Sequence, residues 1–218
     1  MDTLKHIVDK WNLDLTRPMP IPIKISRYRT LLALFRDLGF SKGAEIGVHK
    51  GRYSRYICDR VPGIELFCVD PWLAYDDYVE CKKDQEGMNY CYETTVRRLA
   101  SYNCNVIRAS SLDAVKYFDD YSLDFVFIDG NHSFRYVIDD IEEWSKKVRV
   151  GGIVSGHDYW NSYDLNNSWV QNATETDKNK LCQVKDAVDA WTKANKMNPW
   201  FITTGDKCST FFWVKEKK

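Results

Sequence analysis

Between residues 43 and 156, short apolar runs alternate with amphipathic stretches, and this alternation constrains the fold more than any other feature of the chain. Gly43–Val48, Ile64–Asp70, Asn105–Ala109, Leu123–Ile128 and Ile153–Ser155 each read as a strand. Helix-like segments near 52–61, 88–101 and 111–118 separate them. A fourth is clearly amphipathic: Val137, Ile141, Trp144 and Val148 share a face that Asp139, Asp140, Glu142 and Glu143 do not. Strands alternating with helices predict a parallel, doubly wound sheet with right-handed crossovers and helices on both faces.

The flanks complete the plan. Residues 1–11 read as a short helix. Arg17-Pro18-Met19-Pro20-Ile21-Pro22 then favours extended backbone, a leader that packs on the domain or reaches a neighbour. Exchange of that leader between subunits leaves a homodimer open. A helix over 26–39 stops at Gly39. Gly151-Gly152 ends the amphipathic helix and leads into the fifth strand. Residues 159–181 are polar and Asn-rich, with Trp160, Tyr163 and Trp169 embedded, and together with the 71–88 loop they are expected to form a wall and lid at the ligand edge of the sheet. A helix over 182–196 and two β-type runs, Trp200–Thr204 and Ser209–Val214, close the chain as a hairpin. The expectation is one domain over 1–218: leader 1–25, core 26–158, lid-like loop 159–181, closing helix and hairpin 182–218. The fold class is α/β, a Rossmann-like seven-stranded mixed sheet whose last strand is antiparallel.

Composition sets limits on function. Thirty-one Lys+Arg balance 31 Asp+Glu, which argues against binding nucleic acid through bulk electrostatics. No stretch approaches the roughly 20 apolar residues of a membrane span, and the start of the chain lacks the pattern of a secretory signal. Seven cysteines, an odd number without a C-x-x-C pair, indicate free thiols in a reducing compartment, and so a cytoplasmic protein.

In an open α/β sheet the ligand lies beyond the carboxyl ends of the strands. Those ends carry Glu45-Ile46-Gly47-Val48-His49-Lys50-Gly51, Asp70-Pro71-Trp72, Ser110-Ser111, Asp129-Gly130-Asn131-His132 and Gly156-His157-Asp158-Tyr159; three of the four histidines fall there. The dinucleotide fingerprint G-x-G-x-x-G is missing. The spacing is G-x-x-x-G with Glu45 two residues ahead, where a carboxylate would repel a pyrophosphate but could hold a cationic amino-acid group. That favours S-adenosylmethionine over a nicotinamide dinucleotide.

Gly43–Ser54, Leu66–Trp72 and Leu123–Tyr159 resemble class I S-adenosylmethionine-dependent methyltransferases, closest to a small group with Ile-Asp-Gly-Asn-His-Ser after strand four and Gly-His-Asp-Tyr after strand five. The resemblance runs over about residues 40–160. It implies that Glu45, Gly47 and Gly51 line the methionine part and the ribose, that Asp70 accepts from the ribose hydroxyls, and that Trp72 lies near the adenine. It also places Ser110 or Ser111 at the adenine edge and Asp129 by the methionine amine. The family form E-x-G-x-G-x-G has glycine where this chain has His49, a side chain that narrows the pocket or faces the acceptor.

Methyl transfer to a hydroxyl requires an aligned nucleophile and removal of a proton. His132 and His157, with Asp158, leave the strand ends where a small-molecule acceptor should lie. Related O-methyltransferases bind a divalent cation through acids at these strand ends; here the matching residues are Asp129 and Asp158, with Asn131 or His157 as helpers, a set suited to Mg²⁺, Ca²⁺ or Mn²⁺. The readings that compete are metal-free transfer to oxygen, metal-assisted O-methylation of a sugar or natural product, a dehydrogenase of the same sheet type, and a non-catalytic nucleotide-binding module.

Overall fold

The computed structural model describes residues 2–75, 84–162 and 181–216. The elements follow the alternation in the sequence: α1 (Thr3–Trp11), β1 (Ile21–Ile23), α2 (Arg27–Asp37), β2 (Lys42–Ile46), α3 (Arg52–Arg60), β3 (Glu65–Asp70), α4 (Gln85–Leu99), β4 (Cys104–Arg108), α5 (Ser111–Ala114) with a 3₁₀ turn over Val115–Tyr117, β5 (Leu123–Ile128), α6 (Phe134–Lys147), β6 (Val148–Gly156), α7 (Val184–Ala194), β7 (Phe201–Thr203) and β8 (Thr210–Val214).

The strands form one sheet in the order β1-β7-β8-β6-β5-β2-β3-β4. β8 runs against both neighbours, β6 and β7, and every other pairing is parallel. The chain therefore reverses its direction of winding between β2 and β5, and the carboxyl ends of these two strands open the crevice in which such sheets bind ligands.

Period-two alternation divides the core into two layers. Phe125, Phe127 and Ile153 point to the side carrying α1–α4, where they meet Ile7, Leu31, Phe35 and Ile57. Val126, Ile128 and Val154 point to the other side and meet Val137, Ile141, Trp144 and Val188 of α6 and α7. Phe35 stacks on Phe125 with ring centroids 3.9 Å apart.

The structure differs from the sequence expectation in four places. There are eight strands among the described residues instead of seven, because the proline-rich leader supplies β1, which pairs in parallel with β7. Thr3 of the leading helix also donates to the Gly151 carbonyl at 2.6 Å, so the leader packs on its own domain. Gly151-Gly152 lies inside β6: the strand begins at Val148, and the register shifts between Leu123 and Phe125 as the glycines bulge. Gly152 stands where a Cβ would lie 2.4 Å from the Asp124 carbonyl, and the backbone passes only because no side chain is there. The expected helix over 111–118 is one α turn and one 3₁₀ turn. Finally, Asp140, read as a solvent-facing residue of the amphipathic helix, is buried at 5 % exposure. Of the expected lid, Trp160 packs against the α6/α7 layer, while residues 163–180, with Tyr163 and Trp169, lie outside the described residues, as do residues 76–83 of the 71–88 loop.

Candidate active site

A cavity of about 750 Å³ opens at the carboxyl ends of β2, β3 and β5. That volume suits a nucleoside-sized cofactor with room beside it. Its lining includes Glu45, Gly47, His49, Asp70, Ser110, Ser111, Asp129 and His132, all anticipated from sequence.

The turn after β2 is built from backbone. Gly47 has φ +88°, and a Cβ there would lie 2.0 Å from the Asp129 carbonyl oxygen. His49 has φ +53°, a region histidine enters more readily than most side chains. Its N–H donates to Asp70 Oδ2 at 2.8 Å, and its carbonyl accepts from Trp72 Nε1 at 2.7 Å and Thr95 Oγ1 at 3.0 Å. Asp70 Oδ1 accepts the Trp72 N–H at 2.7 Å. Burial raises the Asp70 pKa against the pull of these backbone donors. Each carboxylate oxygen keeps a lone pair for a further donor.

Two anticipated cofactor residues do not reach the cavity. Trp72 is 0 % exposed, packs edge-on to Tyr92 with centroids 5.1 Å apart, and braces the His49 turn. It is a strut, and Pro71 and Leu73 form that stretch of wall. Gly51 precedes α3 with φ +66° and faces Thr95 and Leu99 of α4.

Glu45 is buried at 2 % exposure and accepts from Ser54 Oγ. Burial lifts its pKa well above the usual carboxylate range, and Asp129 and Asp70 add to the rise. A cationic ligand group would reverse that and restore the charge.

Beyond β5 and β6 four ionisable side chains meet. His132 Nε2 lies 3.5 Å from both Asp129 Oδ1 and Asp158 Oδ2, and His157 Nδ1 lies 3.0 Å from Asp158 Oδ1 and 3.6 Å from Asp129 Oδ1. Burial would raise the Asp129 pKa, but the two imidazoles overcome it and hold this acid well below its usual value. Burial would likewise lower the His157 pKa, and the two acids instead raise it to about 9. Arg27 contacts His157 at its other ring nitrogen, Nε2. His157 and Asp158 stand behind Asp129 and His132 and do not line the cavity.

The loop between β5 and α6 is held by its neighbours. Asn131 Oδ1 accepts from the Ser133 N–H and hydroxyl at 3.0 and 2.9 Å, and the His132 carbonyl accepts from the Gln183 N–H at 2.8 Å. The start of α7 thus fixes the residue that faces the acids.

Asp129, His132 and Asp158 each offer a ligand atom, all within 4.8 Å of one another. Ligands about 2.0–2.6 Å from one divalent ion lie roughly 3–3.7 Å apart when adjacent. The residues fit such an ion, and one imidazole among the carboxylates favours Mn²⁺ over Mg²⁺.

Sequence reasoning missed three contributors. Arg27 lines the cavity from the start of α2, clamped over Tyr28 and Tyr53 at 4.7 and 5.3 Å. It lies outside the motif-bearing segment, and only its place at a helix start marked it. Tyr53 is buried, and its hydroxyl has no hydrogen-bond partner among the described residues. Asp140 is the third. Burial raises its pKa to about 7, partly opposed by Ser111. In the unfolded chain this acid ionises near its ordinary 3.8. As pH rises from about 4 to about 7 the unfolded state alone loses the proton, so stability falls, and above 7 the penalty is constant. Three units correspond to at most about 4 kcal/mol. Asp140→Asn is expected to gain on the wild type by about 2–4 kcal/mol between pH 4 and pH 8 in denaturant titrations; parallel pH profiles would refute the burial argument.

Sheet order, the crevice at the strand switch and a cavity with acids at the β2, β3 and β5 ends define a class I S-adenosylmethionine-dependent methyltransferase. Residues 44–159 match the family model described as a methyltransferase domain, and the chain belongs to that family. No curated protein matches the sequence. Among solved structures, an O-methyltransferase from Bacillus cereus in complex with SAH is 16 % identical with a TM-score of 0.58, covering 99 % of this chain and 91 % of its own. TomG from Streptomyces achromogenes, an O-methyltransferase involved in tomaymycin synthesis and solved with SAM, is 16 % identical with a TM-score of 0.59, covering 99 % and 90 %. The N-methyltransferase NodS from Bradyrhizobium japonicum is 12 % identical with a TM-score of 0.54, covering 88 % and 95 %. At these identities the likeness is one of fold, and it spans enzymes that act at oxygen and at nitrogen.

Proposed function

We propose that this single-domain enzyme moves the methyl group of S-adenosylmethionine to a hydroxyl oxygen of a small acceptor, with a divalent cation held by Asp129, His132 and Asp158. The observation that carries the reading is the convergence of two carboxylate oxygens on one imidazole nitrogen at 3.5 Å. That is longer than a hydrogen bond in the usual 2.7–3.2 Å range and close to the spacing of neighbouring ligands around one ion. When bound, the cation supplies Lewis acidity that lowers the pKa of an acceptor hydroxyl.

The chain's own residues do the rest. Glu45 meets the cofactor's ammonium, and Asp70 accepts from its ribose hydroxyls. Asp129 faces both cofactor and acceptor across the cavity. His157, held by Arg27, sits behind the acids and keeps them oriented. Tyr28, Leu73, Tyr75 and Tyr136 line the cavity and give the acceptor an aromatic wall. Among the described residues no helix is long and apolar enough to cross a membrane. The free thiols at Cys58, Cys68, Cys91, Cys104, Cys182 and Cys208 support a reducing, cytoplasmic setting.

A second reading, metal-free transfer with His132 as the base, draws on the position of His132 at the cavity wall. One assay separates the two. S-adenosylhomocysteine release is followed with catechol and a hydroxycinnamate as acceptors, with chelator, and after refilling with Mn²⁺ or Mg²⁺. The expected result is acceptor-dependent release, lost on chelation and restored by metal. Turnover indifferent to chelator would overturn the metal, and a product methylated at nitrogen or carbon would overturn the oxygen.

A further inference from the structure

Among the described residues, Asp140 is an acid with no cation beside it. It projects from α6 into the cavity at 5 % exposure, and no described Lys, Arg or His pairs with it. Burying a carboxylate without a partner is unfavourable, so the position demands an explanation.

Its protein contacts fix the direction of the hydrogen bonds. Trp144 Nε1 can only donate, and it donates to Ser111 Oγ at 2.7 Å. The Ser111 hydroxyl then donates its own hydrogen bond to Asp140 Oδ1. The relay runs one way and ends on the carboxylate as acceptor. The second oxygen, Oδ2, has no donor from the described residues. It lies 3.4 Å from the point a Cβ on Gly130 would occupy, so the missing side chain of Gly130 leaves that side open to the cavity. Ser110, Leu112 and Tyr136 complete this end of the cavity.

Oδ2 faces the cavity and is free to accept from a ligand donor placed there. The cofactor carries three kinds of donor: the ammonium, the ribose hydroxyls and the exocyclic amine of its base. Glu45 and Asp129 answer the ammonium and Asp70 the hydroxyls, all on the β2, β3 and β5 ends. Asp140 lies beyond them beside α5, at the end of the cavity reached by the base. We propose that Asp140 reads the base, its Oδ2 accepting a hydrogen bond from the 6-amino group of adenine while Ser111 and Trp144 hold the carboxylate in place. This rests on the cofactor being S-adenosylmethionine.

A 6-oxo base turns the donor into an acceptor and sets two acceptors against each other. The test is calorimetric titration of the wild type and Asp140→Asn with S-adenosylhomocysteine and with S-inosylhomocysteine at pH 8.5, where Asp140 is ionised. An unmade or opposed buried hydrogen bond is worth about 1–3 kcal/mol, so the wild type is expected to prefer the adenine ligand by roughly 10–100-fold. In Asp140→Asn the Ser111 hydroxyl keeps the amide oxygen on its own side and turns the amide nitrogen toward the base, so the preference should fall to within about 3-fold or reverse toward the 6-oxo ligand. A purely structural role for Asp140 would weaken both ligands together and leave the ratio unchanged, which overturns the proposal. Equal affinities in the wild type overturn it without any variant. Failure of the wild type to bind either ligand would instead bring down the cofactor assignment on which the proposal rests.

Discussion

Replacing Gly47 with alanine is expected to abolish binding of S-adenosylhomocysteine and to destabilise the fold by about 3–5 kcal/mol. Two effects add. A non-glycine residue at φ +88° stores on the order of 1–3 kcal/mol of strain. The new Cβ would also lie 2.0 Å from the Asp129 oxygen, 2.4 Å from its carbonyl carbon and 2.6 Å from the Gly130 nitrogen. All three are backbone atoms, and none can retreat freely: Gly47 N–H donates to the Val69 carbonyl at 2.9 Å and Asp129 N–H to the Ile46 carbonyl at 2.7 Å. Relief would tear β2 from β3 and β5 at the crevice that holds the cofactor. Gly39→Ala is the control, because Gly39 has φ +66° with nothing within 4 Å of its would-be Cβ. It should lose only about 1–2 kcal/mol and bind normally. Denaturant midpoints and ligand titrations on both variants decide the matter; equal effects would mean that backbone strain alone, and not the close approach of β5, requires glycine at 47.

The same crossing shows what the sequence could reveal. Hydrophobic periodicity is a local property, and the central strands and the helices around them carry it strongly, so β2 through β6 were legible to within a few residues. Strand ends in a doubly wound sheet are where ligands must bind, which made Glu45, Asp70, Ser111 and Asp129 legible once the strands were placed. Features that depend on tertiary contact were less so. Trp72 reads as an aromatic near the adenine, yet its indole N–H is claimed by the His49 carbonyl. The leader reads as extended chain that packs on the domain or reaches a neighbour, and only the open edge of β7 decides between the two. Asp140 was hidden by its charge, although it stands three residues after Val137 and four before Trp144, spacing that places it on their face. A carboxyl on the apolar face of a helix was the signal, and the assumption that acids face water suppressed it. Arg27 carried no signal of that kind, because the sheet brings α2 to the cavity from outside the motif-bearing segment.

Asp129→Asn and Asp158→Asn are expected to fail in different ways, and the difference follows from where the two acids stand. Both flank His132 Nε2 at 3.5 Å, but Asp129 lines the cavity and Asp158 does not. Asp158 acts on the acceptor only through what it helps to hold. Its loss should weaken metal binding by more than the roughly 10–100-fold that follows loss of a residue merely bracing a ligand, so the Mn²⁺ concentration for half-maximal activity rises while kcat at saturating Mn²⁺ returns to within a few-fold of the wild type. In the proposed reading Asp129 also faces the cofactor's ammonium and the acceptor. Its amide should leave kcat down by about 10²–10⁴-fold at any metal concentration, the range lost with a group that stabilises charge in the transition state. Mn²⁺ titrations of initial rate on the two variants read the split directly. If His132 were instead a base without metal, both acids would serve only to orient it and to stabilise its charged form. Each variant would then lower kcat, and neither would respond to Mn²⁺. The two carboxylates are chemically identical and equidistant from the histidine, so a metal-dependent rescue confined to Asp158→Asn would come from geometry alone: one acid touches the reaction and the other touches only the ion.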